Sequence, residues 1–353
     1  MSLFVQPGIL ALLFALAIAS PLAAGQAEEA LMEGVKLHDA GQVKEAISFY
    51  DRAIQANPKL TAAYFNRGNA YYDLGQDENA VGDYSRVLRL NPKDAEAYYN
   101  RGNAYRRLKK DALALKDYSA AIKLKSEDAR NYINRGSLYF DAKRYESARK
   151  DFSAAIQLNP KDSEAHYNRG NSYLALDKKA EAIADYTEAI SLDAKLVDAY
   201  YNRGIAYAAS GETEKAIEDF TEVLSLDPKF TDAYYNRALA KAKLGSHEAA
   251  IDDFSEAMRL APKDPEPPFN RGLGYLRVEQ YDYAARDFTA VILLQPRNAQ
   301  AYVYRGIART YQQRDDDADG DFRKAFQLDP SLRSKIQPLI DEIREKVKTK
   351  SNK

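Results

Sequence analysis

The chain has 353 residues, with 51 Lys and Arg against 52 Asp and Glu for a net charge of −1, and it has no cysteine. Balanced charge argues against a nucleic-acid partner, because phosphate binding needs a basic stripe that displaces counterions. Without cysteine there is no disulfide, no thiolate metal site, no cysteine nucleophile and no acylated lipoprotein anchor.

Residues 9–19 (ILALLFALAIA) form an apolar run that is too short to span a bilayer but suits the apolar core of a secretory signal. Small residues follow at Ala23, Ala24, Gly25 and Ala27, and cleavage after Gly25 would put Ala23 and Gly25 in the two pocket positions. Residues 1–25 are therefore expected to be a signal peptide and the protein to be exported, periplasmic or secreted. No Lys or Arg precedes the run, which leaves an uncleaved N-terminal membrane anchor as the alternative.

From Ala27 to Leu332 the sequence repeats every 34 residues, nine times, with no insertion or deletion: 27–60, 61–94, 95–128, 129–162, 163–196, 197–230, 231–264, 265–298 and 299–332. With Ala27 as position 1, position 20 is always alanine, as at Ala46, Ala80 and Ala114, and position 24 is always aromatic, as at Tyr50, Tyr84 and Phe152. Position 8 is glycine in every repeat but one, where Ala238 stands. Most repeats carry proline at position 32, which stops the second helix before the next repeat begins. This pattern resembles the tetratricopeptide repeat (TPR) family, a helix-turn-helix unit of this length. The resemblance implies an all-α, right-handed superhelical solenoid of antiparallel helix pairs, each burying its apolar face on its neighbours. No linker breaks the register. Pro265, Pro267 and Pro268 read as a capped helix start, with a hinge as the alternative.

At about 100° per residue, the first helix of each repeat has two faces. Positions 4, 7, 8 and 11 form a packing face that includes Tyr64, Tyr98, Tyr132, Tyr200 and Tyr234 at position 4. Position 7 breaks its apolar character, because it is arginine in repeats two to nine: Arg67, Arg101, Arg135, Arg169, Arg203, Arg237, Arg271 and Arg305. A charge on a packing face needs a partner. Position 23 supplies aspartate in the same repeats: Asp83, Asp117, Asp151, Asp185, Asp219, Asp253, Asp287 and Asp321. The first repeat lacks both, with Glu33 and Phe49 in their places, so the spacing predicts ion pairs such as Arg67–Asp83, Arg169–Asp185 and Arg203–Asp219 that clamp the two helices of a repeat. A basic ligand site is the competing reading.

Positions 2, 5, 6, 9, 12 and 13 form the other face, which in the TPR family lines a concave groove. Position 6 is asparagine in seven consecutive repeats: Asn66, Asn100, Asn134, Asn168, Asn202, Asn236 and Asn270. Asparagine prefers caps and turns to helix interiors, so the row calls for an explanation. Each amide offers a donor and an acceptor and could hold a peptide backbone group bidentately. The row is similar to the asparagine ladder of the O-linked N-acetylglucosamine transferases, and the resemblance implies an extended polypeptide ligand. The alternative is that these amides bond to neighbouring helices and set the repeat spacing. Position 5 adds Phe65, Tyr99, Tyr167, Tyr201, Tyr235 and Phe269 as apolar wall. Position 9 is polar early (Asn69, Asn103, Ser137, Asn171) and apolar late (Ile205, Leu239, Leu273, Ile307). Acids at position 2 (Glu96, Glu164, Asp198, Asp232, Glu266) complement the helix dipole and, if they also face the ligand, favour a neutral or basic partner.

Some TPR cochaperones clamp acidic chaperone tails through Lys at position 5 and Arg at position 6, and neither residue stands there in repeats two to nine. No metal-ligand spacing, phosphate loop or nucleophile elbow is present, and His38, His166 and His247 fall at unrelated repeat positions. Residues 333–353 read as a capping helix and basic tail, with Ile336, Leu339, Ile340, Ile343 and Val347 at helical spacing and 348–353 expected to fray. The sequence thus points to a non-enzymatic, cofactor-free scaffold that binds a protein segment, with no small-molecule substrate. A holdase-like chaperone and a structural spacer are the alternatives, and membrane contact is expected only if the N-terminal segment is uncleaved.

Overall fold

The structure, a computed structural model, describes residues 21–351, so the apolar run at 9–19 lies outside the described residues. Among the described residues all regular structure is helical, and no helix is long and apolar enough to cross a membrane. Contacts divide the chain into two compact units, one ending at Leu158 and the other beginning at Asn159. The first unit contains four helix pairs: α1 (Pro21–Asp39) with α2 (Val43–Ala56), α3 (Thr61–Asp73) with α4 (Asp77–Leu90), α5 (Ala95–Arg107) with α6 (Asp111–Leu124), and α7 (Ala129–Asp141) with α8 (Tyr145–Leu158). The second contains α9 (Ser163–Ala175) with α10 (Lys179–Leu192), α11 (Val197–Ser210) with α12 (Thr213–Leu226), α13 (Thr231–Lys243) with α14 (His247–Leu260), α15 (Glu266–Arg277) with α16 (Tyr281–Leu294), and α17 (Ala299–Tyr311) with α18 (Asp315–Leu328), followed by α19 (Leu332–Ser351).

Both ends of the first helices have local causes. At position 34, Asp94, Asp128, Asp162 and Asn298 cap the following helix by accepting from backbone N–H groups of Ala97, Arg130, Ala165 and Ala301. The helix then stops at a left-handed residue at position 15, which is Gly41, Gly75, Gly211 or Gly245 in four repeats. In the other five it is Lys109, Lys143, Asp177, Glu279 or Gln313, with φ between 55° and 60°. The next N–H closes the turn onto the carbonyl five residues back, as from Gln76 to Tyr71 at 2.8 Å and from Lys110 to Tyr105 at 2.8 Å. Gly25, where signal cleavage is expected, lies inside α1, which already begins at Pro21.

The core is narrower than the helical wheel suggested. Alanines at positions 3, 10 and 20, with the aromatic at position 24, are fully buried, whereas the tyrosines at positions 4 and 11 are only half-buried. The alanines at positions 3 and 10 are too weakly apolar to mark a face on the wheel, yet these small side chains bring the helices close enough to shut out solvent. Glycine at position 8 completes the contact, since a Cβ at Gly102 would lie 2.8 Å from the Tyr118 ring. Pro265 precedes α15, and Pro267 and Pro268 are buried in its first turn, a helix start without a side-chain cap. In the second unit, α19 covers the last pair through Ile340 and Ile343, packed near Val303, Ile307 and Phe322. Two expectations change here: Leu339 is 41% exposed, and α19 continues to Ser351, so residues 348–351 are helical.

Candidate functional site: amide rows on the first helices

Every position-7 arginine meets the position-23 aspartate of its own repeat. Arg67 donates from Nε and Nη2 to Asp83 at 2.8 and 2.7 Å, Arg169 to Asp185 at 2.7 and 2.6 Å, and Arg203 to Asp219 at 2.9 and 2.7 Å. All eight aspartates are buried. Burial pushes the Asp83 and Asp287 carboxyls above the usual range even though their arginines pull them down. The hydrogen bond to Asp83 pushes Arg67 upward in turn.

Two further features were not legible. The half-buried tyrosines at positions 4 and 11 flank the guanidinium, as Tyr98 and Tyr105 do at 5.6 and 5.7 Å from Arg101, which is why they stay short of the core. The third guanidinium nitrogen reaches back to position 25 of the preceding repeat: Arg101 Nη1 to Ser85 at 3.0 Å, Arg203 to Thr187 at 3.0 Å, and Arg271 to Ser255 at 2.9 Å. Position 25 is Ser or Thr in repeats two to eight, a signal visible in the sequence but easily lost among common surface residues. Where position 11 is basic, as at Lys241 and Arg309, it adds a second cation to the aspartate at 2.8 and 2.7 Å.

The position-6 asparagines lie half-buried at the seams between consecutive repeats. Asn134 donates from Nδ2 to Tyr99 Oη at 3.3 Å and Asn103 Oδ1 at 3.1 Å, both in the preceding repeat. Asn202 does the same to Tyr167 and Asn171 at 3.2 and 2.9 Å. Asn236 reaches Tyr201 at 3.0 Å, Asn270 reaches Tyr235 and its own helix at Glu266 O, both at 3.1 Å, and Asn100 reaches Asn69 Oδ1 at 3.2 Å. Asn66 donates only to Ala62 O, at 2.9 Å, and Asn168 makes no side-chain hydrogen bond within its unit. This corrects the bidentate picture, because at Asn134, Asn202 and Asn270 both N–H bonds of the amide already have acceptors. The neighbouring-helix reading describes the Nδ2 side, and no hydrogen bond to Oδ1 of these amides is described.

The position-5 rings are half wall and half core. Tyr99, Tyr167, Tyr201 and Tyr235 each lie 5.8–6.1 Å, tilted or edge-on, from the position-24 ring of their own repeat. On the same face of the first unit are two hollows. One, of about 340 Å³, is lined by His38, Asn69, Asp73, Asn100 and Asn103 among others. The other, of about 530 Å³, is lined by Tyr72, Tyr99, Asn103, Arg106, Arg107 and Asn134. A larger hollow of about 970 Å³ beside Met32 and Phe49 is on the end face of the first repeat, away from the amides. Acids at position 2 differ between the units: Glu96 is engaged by Arg130 at 3.0 Å, whereas Glu164, Asp198, Asp232 and Glu266 are exposed.

Models described as "TPR repeat" match residues 34–75, 68–109, 136–177 and 170–211, and models described as "Tetratricopeptide repeat" match 95–128, 197–230, 231–264 and 269–332. The chain belongs to the tetratricopeptide repeat family. Among solved structures it is similar to a tetratricopeptide repeat protein from Parabacteroides merdae, at 22% identity over 70% of this chain and 98% of that one, with a TM-score of 0.50. It is also similar to the C-terminal part of a TPR repeat-containing protein from Cytophaga hutchinsonii, at 16% identity over 77% and 97% with a TM-score of 0.52. YrrB, described as a TPR protein with an unusual peptide-binding site, matches at 24% identity over 52% and 95% with a TM-score of 0.49. These likenesses concern the fold, and no curated protein matches the chain. As a TPR protein the chain has a protein-interaction scaffold fold, and the Arg–Asp contacts hold the two helices of each pair together.

Proposed function

We propose that this TPR protein is a non-catalytic scaffold that binds an extended segment of another protein along the amide-bearing faces of its first helices. The observation that carries this reading is the open Oδ1 of Asn100 and Asn134 in the first unit and of Asn202, Asn236 and Asn270 in the second, acceptors held in place by the bonds on Nδ2. Such a row matches backbone N–H groups and does not read side chains. The exposed acids at position 2 in the second unit favour a neutral or basic segment there. The apolar run at residues 9–19 supports export, with the partner exported or membrane-bound.

An array of capped peptides separates the possible roles. A scaffold selects a few sequences, a holdase accepts many, and a spacer accepts none. Changing Asn134, Asn168, Asn202 and Asn236 together to Ala removes four acceptors and should weaken binding by roughly 2–6 kcal/mol, at about 0.5–1.5 kcal/mol each. Undiminished binding by that variant, with a lower melting temperature, would mean the row only spaces the repeats.

A further inference from the structure

The position-9 amides are oriented by hydroxyls buried beneath them. Tyr84, Tyr118 and Tyr186 at position 24 donate to the Oδ1 of Asn69, Asn103 and Asn171, each at 2.7 Å. The same oxygen accepts Nδ2 of the next repeat's asparagine: Asn100, Asn134 and Asn202 respectively. Reversing one amide would set two NH₂ groups face to face, unless the next asparagine also reversed and accepted from the position-5 hydroxyl of the preceding repeat, which Tyr99 and Tyr167 supply and Phe65 does not. That concerted reversal is self-consistent except at one atom. Tyr118 is wholly buried and has no other acceptor, so its hydroxyl hydrogen would be stranded.

The repeats themselves supply the control. Where position 24 is phenylalanine (Phe152, Phe220, Phe254, Phe288, Phe322), position 9 is Ser137, Ile205, Leu239, Leu273 or Ile307, and no repeat combines phenylalanine with asparagine. Ser137 turns back to its own helix and donates to Ile133 O at 2.9 Å. In the first repeat, where Tyr50 stands over Val35, the hydroxyl meets His38 Nδ1 at 3.5 Å instead. The early-polar, late-apolar division of position 9 therefore follows from the hydroxyl at position 24.

We propose that Tyr84, Tyr118 and Tyr186 lock the polarity of Asn69, Asn103 and Asn171, so that the NH₂ groups of Asn69 and Asn103 face outward and bind carbonyl oxygens of an extended polypeptide. With Oδ1 doubly occupied, the amides of Asn69 and Asn103 have N–H bonds without a described protein acceptor, whereas Asn171 also donates to the Tyr167 hydroxyl on its own helix, and Asn103 borders both hollows of the first unit. Donors from position 9 then stand beside acceptors from position 6, matching the two polar groups of a peptide bond. The lock is independent of the proposed function, whereas the carbonyl ligand rests on it.

The test uses the full chain with ¹⁵N-labelled asparagine and, as probe, a reduced and alkylated polypeptide that stays unfolded. Without probe, Asn103 should give one amide pair whose protons show no contact with the Tyr118 hydroxyl edge. Tyr118→Phe should keep the melting temperature, as phenylalanine already serves five repeats, but split the Asn103 resonances into two orientations. Asn103→Asp keeps an acceptor for Tyr118 and Asn134 while replacing the outward donors by an acceptor, and should weaken probe binding about tenfold. Amide protons of Asn103 found against Tyr118, or one unchanged orientation in Tyr118→Phe, would overturn the lock. Full binding by Asn103→Asp would overturn the carbonyl assignment. If the unaltered protein ignores the probe, the carbonyl ligand falls, while the proposed function is decided by the peptide array and the lock by the amide spectra.

Discussion

Replacing Arg203 by alanine is the most informative perturbation of the framework, because one guanidinium serves three helices. It makes two charge-assisted bonds to Asp219 and one bond to Thr187 in the preceding repeat, and it lies 5.6 and 5.8 Å from the rings of Tyr200 and Tyr207. Asp219 is 5% exposed and has no other cation within ion-pair distance, so Arg203→Ala leaves a buried carboxylate without its counter-charge. Breaking a buried pair in this way costs about 3–5 kcal/mol, and the partly exposed arginine (15%) places the expected loss near the lower end, at about 3 kcal/mol. Asp219→Ala strands an arginine that still reaches solvent and should cost about 1–2 kcal/mol. The double variant should then fall short of the sum by about 1–3 kcal/mol. Thr187→Val isolates the inter-repeat bond at about 1 kcal/mol. Urea unfolding gives the totals, and hydrogen exchange locates the loss, which should concentrate in α11 and α12. Strictly additive costs for Arg203 and Asp219 would refute the pair as an energetic unit.

Lys109 and Lys143 stand at φ 55° and 58°, where glycine serves four other repeats, so Lys109→Gly and Lys143→Gly should each raise stability by about 0.5–1 kcal/mol in urea unfolding. Burial pushes the Tyr50 hydroxyl up to about 12 and raises Tyr84, Tyr118 and Tyr186 as well. Raised folded values mean that this stability is complete below pH about 10 and is lost as pH rises, through about 12 for Tyr50 and at higher pH for the other three. Tyrosinate absorbance and helical circular dichroism should therefore change together in an alkaline titration, and ionisation of these tyrosines with the helices intact would contradict it. If export removes the N-terminal segment, intact mass of protein from its native host should start near Gln26, whereas a membrane-bound species retaining Met1 would establish the anchor.

The period, the helix pairs and the Arg–Asp partnership could be read from the sequence because each rests on residues that recur or vary together at fixed spacing. Glu33 and Phe49, jointly replacing the pair in the first repeat, were the decisive clue. Position 6 was harder, since an asparagine pattern does not reveal which of the two amide atoms is already engaged. That depends on Tyr99, Tyr167, Tyr201 and Tyr235 extending hydroxyls across to the next repeat, 35 residues on. The link between positions 9 and 24 was present in the letters as the Tyr/Asn and Phe/aliphatic pairs. It went unread because position 24 looked like pure core, and a phenol hydroxyl within a core carries no outward sign. Alanines at positions 3 and 10 were missed for the opposite reason, being too small to register as packing residues although they are fully buried.

The backward reach of each guanidinium also makes the repeat a unit of inheritance. Every position-7 arginine from Arg101 to Arg305 with a described inter-repeat bond finds a serine or threonine at the same place in the repeat before it. Excising residues 197–230 would bring Arg237, which now bonds Thr221, opposite Thr187, and the new joint would be chemically the same as the old. Recombination can therefore lengthen or shorten this array by whole repeats without inventing an interface, while a cut of any other length takes the arginine at the joint off its hydroxyl.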